Sequence, residues 1–278
     1  MGLKLTFYKK FYIFNLYIAY MKYLRKFNES IHSSDINKLC EKYITGEFTI
    51  DDNGLVNVNG SVNMMAEALY EFPFSFGVVT GDFNCSFNSL RNLEGSPSEV
   101  HGDFNCTENY LITLKGGPTR VDGDYLCSHN KLTSLEFCVS EINGGDLVCS
   151  NNELITLEGC PQKKMNDFKC SNNKLTTLEF GPTEVTNYYC DSNKLTTLEG
   201  APYRLEYFDC SKNELTSLYG APTKYLTDLY NLNCYNNPIY DLWYKVNDIH
   251  KLELFIDMDI NSEDPEDYNE RRLMDITE

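Results

Sequence analysis

The sequence lacks the residue sets on which most enzymes and metalloproteins depend. No two of its eleven cysteines stand as C-x-x-C, and the four histidines fall into no zinc-ligand spacing with them. We find no Ser-His-Asp set, no phosphate-binding loop and no pair of catalytic carboxylates outside the repeat described below. We therefore predict that the protein is not an enzyme and that it holds no metal and no cofactor.

Basic residues are scarce as well. The chain has 24 Lys and Arg against 41 Asp and Glu, which gives a net charge of −17. Nucleic acid is not expected to bind, because its phosphates would be repelled. The nine-residue glycine-rich calcium repeat is also absent, so we do not expect the acidic residues to bind calcium.

Long apolar runs are missing too. The aromatic run from Phe11 to Tyr20 is shorter than the roughly 18 to 20 apolar residues that span a bilayer. No small-residue cleavage site of a secretory signal follows it. We predict no membrane association, and we interpret residues 1–20 as an upstream extension with Met21 as the functional start.

The feature that dominates the sequence is a repeat. Eight of the cysteines are spaced by 21, 21, 22, 21, 20, 20 and 24 residues. A fixed period of this length is typical of a solenoid. The column consists of Cys85, Cys106, Cys127, Cys149, Cys170, Cys190, Cys210 and Cys234. We number the coils 1 to 8 by these cysteines.

The residues around each cysteine repeat with it. A large apolar residue stands two positions before it, Leu or Ile five after it and Leu eight after it. The third position after it is asparagine in every coil: Asn88, Asn109, Asn130, Asn152, Asn173, Asn193, Asn213 and Asn237. A stacked column of buried amides can satisfy the backbone groups left unpaired where the chain turns off a strand. We expect replacement of Asn130 or Asn173 by Ala to cost about 1 to 3 kcal/mol.

These columns resemble the leucine-rich-repeat consensus L-x-x-L-x-L-x-x-N-x-L over residues 56–245, with cysteine at the third leucine position. The segment MKYLRKFNES at residues 21–30 and the GDFxCSxNxLTxLEG pattern of the coils are similar to leucine-rich-repeat proteins of large tailed phages and related viruses. The resemblance implies a viral origin and a binding role, without a defined activity. The return segments, such as residues 195–202, resemble those of the short-repeat bacterial type of leucine-rich protein, in which Pro-rich connections replace convex helices.

The fold that we predict is a leucine-rich-repeat solenoid of the α/β class, mostly β. Short parallel strands form its concave face, and Gly200 and Pro202 are typical of the breaks that keep the convex side extended or turn-like. Residues 1–33 are an extension or linker. Residues 34–61 form a helix and a hairpin that cap the solenoid of residues 62–245, and residues 246–278 form a helical C-terminal cap with an acidic tail.

The cysteines also indicate a compartment. Stacked side chains of one inward column are poorly aimed for disulfide geometry, so we expect about eleven free thiols. Cys138 and Cys160 lie in return segments, and Cys40 lies on the N-terminal helix. A reducing cytoplasm, that of a host cell, is the predicted location, with the virion as the alternative.

Function must come from the outward side chains of the strands. Among these side chains, aspartates stack in the first five coils and tyrosines follow in later ones. This face is a candidate for protein binding, because aromatic residues anchor interfaces and carboxylates steer basic partners. The alternative is that repeat duplication merely copied one soluble surface residue. The candidate partner-binding residues are Asp82, Asp103, Asp124, Asp146, Asp167, Tyr189, Tyr207, Asp209 and Tyr235.

Three functional hypotheses follow. The first is a monomeric scaffold or adaptor that binds a host or virion protein on the concave face. The second is a structural or packaged virion component, for which Phe27-Asn28-Glu29 is similar to sites cut by phage head-maturation proteases, although the same residues also fit a solvated linker. An enzyme is the third and has the least support.

Overall fold

The structure is a computed structural model that describes residues 33–202, 205–222 and 232–239. The chain forms two compact units, Met1–Ile44 and Thr45–Glu278. The described part of the first unit is helix α1, Ser33–Tyr43. Its Cys40 and Tyr43 are buried while Asn37 and Lys38 are exposed, and the helix predicted within residues 34–61 is present. The extension before residue 33 and the C-terminal cap and tail predicted for 246–278 lie outside the described residues.

A hairpin opens the second unit, as the Asn-Gly sequence predicts. Strands β1 (Ile44–Ile50) and β2 (Val56–Asn63) pair with each other. The backbone N–H of Gly54 donates to the carbonyl of Asp51 at 2.9 Å, and Gly54 has a φ of +78°. The Asp51 carboxylate accepts the N–H groups of Asn53 and Leu55 at 2.8 and 2.9 Å. Glycine supplies the left-handed conformation that this turn needs.

The coils stack into a mostly-β parallel solenoid of about eight turns. One strand per coil forms the first strand column, in which the apolar residue two before each cysteine is aligned from coil to coil, as Phe83 with Phe104 and Tyr188 with Phe208. The strands are β4 (Phe83–Asn84), β6 (Phe104–Asn105), β8 (Tyr125–Leu126), β10 (Leu147–Val148), β11 (Met165–Lys169), β12 (Val185–Tyr189), β13 (Tyr207–Asp209) and β14 (Leu232–Asn233).

A second strand column runs beside the first. It contains β3 (Phe76–Val79), β5 (Glu99–Val100), β7 (Arg120–Val121) and β9 (Glu141–Ile142), and it continues where Met165 of β11 pairs with Val185 of β12. The sequence analysis did not predict these strands. The signal was present as the buried series Val79, Val100, Val121 and Ile142.

Glycines lie at the corner between the two columns. A Cβ atom on Gly102 would sit 2.7 Å from the carbonyl carbon of Gly81 in the coil before it. No Cβ tolerates that approach, so glycine is required here by close coil stacking.

The return segments contain turns, and no helix occurs in residues 45–202, 205–222 and 232–239. In coils 2 and 3, for example, the N–H groups of Gly117 and Cys138 donate to the carbonyls of Leu114 and Leu135 at 3.0 and 2.9 Å. The only helix in the described residues is the eleven-residue α1, and no described helix is long and apolar enough to cross a bilayer.

The core is formed by the repeat columns. Among the described residues, the column cysteines, the apolar residues two before them and the Leu or Ile residues of the two columns after them are buried. Two of the large residues are tyrosines, Tyr125 and Tyr188, and a glycine of the preceding return segment faces each hydroxyl. A Cβ on Gly117 would lie 3.4 Å from the Tyr125 oxygen, and one on Gly181 would lie 3.0 Å from the Tyr188 oxygen. These glycines leave the room that the extra hydroxyl occupies.

The asparagines form a continuous ladder along the solenoid. The Nδ2 of Asn130 donates to the carbonyls of Cys106 and Cys127, both at 3.1 Å, and its Oδ1 accepts the N–H of Leu111 at 2.9 Å. The residue before each ladder asparagine has a φ of +53° to +57°, as His129 with +54°. Each coil therefore turns off its strand through a left-handed residue, and the adjacent buried amide holds that turn in place.

Candidate functional site

The candidate site lies on the outward side of the first strand column. We define the strand face as the side chains three before, one before and one after each column cysteine. They point away from the core because successive side chains of a strand alternate. In coils 5, 6 and 7 these are Asp167, Lys169, Ser171, Asn187, Tyr189, Asp191, Tyr207, Asp209 and Ser211.

The aspartate column of coils 1 to 5 links neighbouring coils. The Oδ1 of Asp82, Asp103 and Asp124 accepts the backbone N–H of the aspartate in the next coil at 2.9, 2.8 and 2.8 Å. The Oδ1 of Asp146 accepts the N–H of Asp167 at 3.0 Å. At coil 6 the series changes, because Asn187 donates its side-chain Nδ2 to Asp167 at 2.7 Å. One oxygen of each aspartate is thus part of a second ladder, parallel to the asparagines.

This ladder predicts a difference between two substitutions at one position. Asp124→Ala removes the acceptor of the Asp146 N–H and should lower the free energy of unfolding by about 0.5 to 1.5 kcal/mol. Asp124→Asn keeps an acceptor oxygen and relieves repulsion between stacked like charges, so it should be neutral or slightly stabilising. Urea unfolding of both variants measures the difference. Glu136→Ala, which removes one exposed carboxylate from the return side of the same coil, is the control. Equal effects of the two Asp124 substitutions would refute the ladder.

Coil 5 holds a cation on the strand face. The Nζ of Lys169 lies 2.9 Å from Oδ2 of Asp167 and 3.1 Å from Oδ2 of Asp146. It also lies 5.6 Å from the centre of the Tyr189 ring, within the range of a cation–π contact. Burial acts to lower the pKa of Lys169, but the two carboxylates outweigh it and raise the pKa above its usual value. The cluster therefore keeps the ammonium charged.

Coils 6 and 7 present an aromatic pair. The rings of Tyr189 and Tyr207 are 5.4 Å apart at an angle of 43°, and both side chains are half-buried. In the strand register Tyr189 has Lys169 on one side and Asp209 on the other. Burial and, after it, the charge of Asp167 raise the pKa of Tyr189. Burial and then Asp209 raise that of Tyr207. Both phenols are therefore neutral at physiological pH.

Two further carboxylates frame this pair. Asp191 accepts hydrogen bonds from the Ser171 and Ser192 hydroxyls. Oδ1 of Asp209 accepts the N–H and the hydroxyl of Ser211 at 3.0 and 2.7 Å, and Oδ2 accepts Nδ2 of Asn233 at 3.0 Å. These donors are neutral, so they orient the carboxylates without cancelling their charge. We name Tyr189, Tyr207, Asp191 and Asp209 the tyrosine patch.

The structure separates the predicted binding residues into groups. Asp82, Asp103 and Asp124 belong to the coil-linking ladder, and Asp146 and Asp167 both join that ladder and hold Lys169. Tyr189, Tyr207 and Asp209 come together in the tyrosine patch. Tyr235 lies on coil 8 and is 50% exposed. Sequence analysis missed Asp191 and the ion pairs of Lys169, because neither residue matches the residue type that recurs at its position in other coils. That departure from the repeated residue type was the available signal.

The thiols do not contribute to the strand face. All eleven cysteines are free, and ten are buried. Burial raises the pKa of Cys138 and of Cys234 to about 12, so these thiols are poor nucleophiles. In residues 33–202, 205–222 and 232–239 no three His, Cys, Asp or Glu side chains are grouped so that they could hold a metal ion.

Comparison of the chain with protein-family models, with curated protein sequences and with solved structures gives no significant match.

Proposed function

We propose that the protein is a non-enzymatic interaction scaffold that binds a partner protein through its strand face, with the tyrosine patch at the centre of the contact. The observation that carries the proposal is the half-buried Tyr189–Tyr207 pair, held on rigid strands inside a frame of carboxylates. Tyrosines placed in this way provide large contact areas and lose little entropy on binding, and for this reason they are frequent at interface hot spots.

The rest of the strand face supports this location. In coils 1 to 4 it carries small polar side chains, the apolar Leu126 and Val148, and aspartates that bond to the next coil. The strand face of coils 6 and 7 instead presents two aromatic rings and two carboxylates that no lysine or arginine of the described residues neutralises. The change of surface character within a uniform repeat favours a role beyond soluble packing.

The type of repeat, the origin of the protein and its cellular location are part of the proposal. The cysteine and asparagine columns and the turn-like return segments support a leucine-rich-repeat solenoid of the short-repeat type, with the β1–β2 hairpin in its N-terminal cap. The resemblance of residues 21–30 and of the GDFxCSxNxLTxLEG coils supports a viral, phage-related origin. Free buried thiols support a reducing cytoplasm, that of a host cell.

Affinity capture tests the proposed function. The tagged full chain is expected to retain one host protein in stoichiometric amount from infected cells. The double variant Tyr189→Ala/Tyr207→Ala should reduce that capture by at least about tenfold, because hot-spot truncations cost about 2 kcal/mol or more. Tyr110→Ala/Tyr219→Ala is the matched control, since it removes two exposed tyrosines from outside the strand face.

Two outcomes would contradict the proposal. One is equal capture by the patch variant and the control, provided that circular dichroism shows both folded. The other is the absence of any captured host protein while mass spectrometry finds the chain abundant in purified particles. That second result would favour the virion component instead.

A further inference from the structure

The strand face contains a cation site that the protein fills itself. Lys169 is bound by the carboxylates of Asp146 and Asp167 and lies near the face of Tyr189. On this surface, two carboxylates and a tyrosine ring thus surround a cationic side chain. The arrangement shows which chemistry the face accepts.

On the other side of Tyr189 carboxylates again lie beside a tyrosine ring. Asp209 neighbours Tyr189 in register, and Asp191 follows Tyr189 by two residues. Both carboxylates influence Tyr207, whose pKa is raised by burial and then by Asp209, with a smaller effect of Asp191. Within the described ranges, no lysine or arginine is ion-paired with either of them.

The carboxylates keep free acceptor capacity. An ionised carboxylate offers about four lone-pair positions. Asp191 accepts two hydrogen bonds and Asp209 three, all from neutral donors. Among the described residues, these two oriented negative charges beside two tyrosine rings thus have no counterion, whereas the carboxylate pair of the neighbouring coil holds Lys169.

We propose that the tyrosine patch binds an arginine side chain of the partner, with its guanidinium against the tyrosine rings and its charge balanced by the carboxylates of Asp191 and Asp209. This inference rests on the proposed function and names the chemistry of the recognised segment. Arginine fits better than lysine, because a planar guanidinium stacks on aromatic rings and offers five donors to carboxylates, whereas an ammonium is a compact, strongly hydrated point charge. A metal ion fits less well, since the described residues contain no group of three suitable ligands.

Calorimetric titration of the full chain with acetylated, amidated tri-arginine tests the inference. At about 150 mM salt, where long-range attraction is screened, Asp191→Asn/Asp209→Asn should weaken tri-arginine binding about tenfold, a change that corresponds to roughly 1.4 kcal/mol. The matched control is Glu179→Gln/Glu199→Gln, which removes the same charge from exposed return-side positions of coils 5 and 6. Its affinity should stay within about twofold of the unmodified chain.

Two further comparisons define the site. The unmodified chain should bind tri-lysine at least about threefold more weakly than tri-arginine, and Tyr207→Ala should abolish this preference. The single variant Asp191→Asn, which keeps an acceptor for the Ser171 hydroxyl, serves if the double variant does not fold.

The result that overturns the inference is an equal loss of tri-arginine affinity in the two double variants, or equal affinities of the unmodified chain for the two peptides. Saturable calcium binding that depends on Asp191 and Asp209 and displaces tri-arginine would also overturn it. These failures are separable from failure of the proposed function. Capture of a host protein that requires Tyr189 and Tyr207 would then still stand, with a recognition chemistry other than arginine.

Discussion

Raising the pH from 7 to 10 is expected to unfold the solenoid cooperatively. Ten thiols of the second unit have pKa values raised by burial: the eight column cysteines, Cys138 and Cys160. In an unfolded chain each thiol ionises near pH 8.5. Unfolding therefore releases protons at alkaline pH.

The sign of the effect follows from the raised pKa values. Below about pH 8 the thiols are neutral in both states, so their packing contributes its full stabilisation. Above the unfolded pKa only the unfolded chain ionises, and at pH 10 each thiol shifts the equilibrium by about 2 kcal/mol toward unfolding. Ten thiols together give about 20 kcal/mol, which exceeds the roughly 5 to 15 kcal/mol that typically stabilises a domain.

Circular dichroism and thiolate absorbance, recorded together against pH, measure this transition. Both signals should change at the same pH, because the thiols ionise only when the chain unfolds. Cys149→Ala removes one of the ten ionising thiols, so the free energy of unfolding should fall less steeply with pH. The cavity that the substitution leaves should lower stability at pH 7. Repeating the titration in 1 M salt separates this effect from general repulsion, which salt screens. Thiolate absorbance that rises near pH 8.5 while the dichroism remains native would show that the column is accessible.

Asn130→Ala is expected to lower the free energy of unfolding by about 1 to 3 kcal/mol. The reason is specific to the geometry of the ladder. The carbonyls of Cys106 and Cys127 keep one donor each after the substitution, from Asn109 at 3.1 Å and Asn152 at 3.0 Å. The buried N–H of Leu111 has Asn130 Oδ1 as its acceptor and would be left unpaired.

Asn130→Asp should be more destabilising than Asn130→Ala. It keeps the acceptor for Leu111 but replaces the donating Nδ2 with an oxygen that faces two carbonyl oxygens, and it buries a charge. Urea unfolding at pH 7 measures both variants. Asn166→Ala is the control, since Asn166 is exposed and its side chain donates to Asp146 at 3.3 Å; it should change stability by less than about 0.5 kcal/mol. An Asn130→Asp variant as stable as the unmodified chain would rule out the donor role of the amide.

Most of the solenoid follows from periodicity. The column residues Phe104, Cys106 and Asn109 recur because every coil must offer the same inward groups to its neighbours. Their spacing therefore predicted the parallel strands, the buried thiols and the turns found in the described return segments. The N-terminal helix and the Asn-Gly hairpin followed from local signals, which depend on neighbouring residues alone.

The second strand column and the aspartate ladder were not predicted. Nothing in the sequence distinguishes Val100 and Val121 from loop residues unless the chain is known to bend at the glycine that follows each of them. The aspartates looked like surface charge, because a sequence does not show that Oδ1 of Asp103 reaches the N–H of Asp124 in the next coil. Both features depend on how far apart successive coils lie and on how their corners align.

The repeat, the inward thiol and amide columns and the excess of acid can be derived from the sequence, because each of these is a property of residue type and spacing. Which acids bond to the neighbouring coil, which hold Lys169 and which remain beside Tyr189 and Tyr207 depends on the fold. Residues about 20 positions apart in the chain become neighbours through stacking, and a side chain's role on the surface depends on those neighbours.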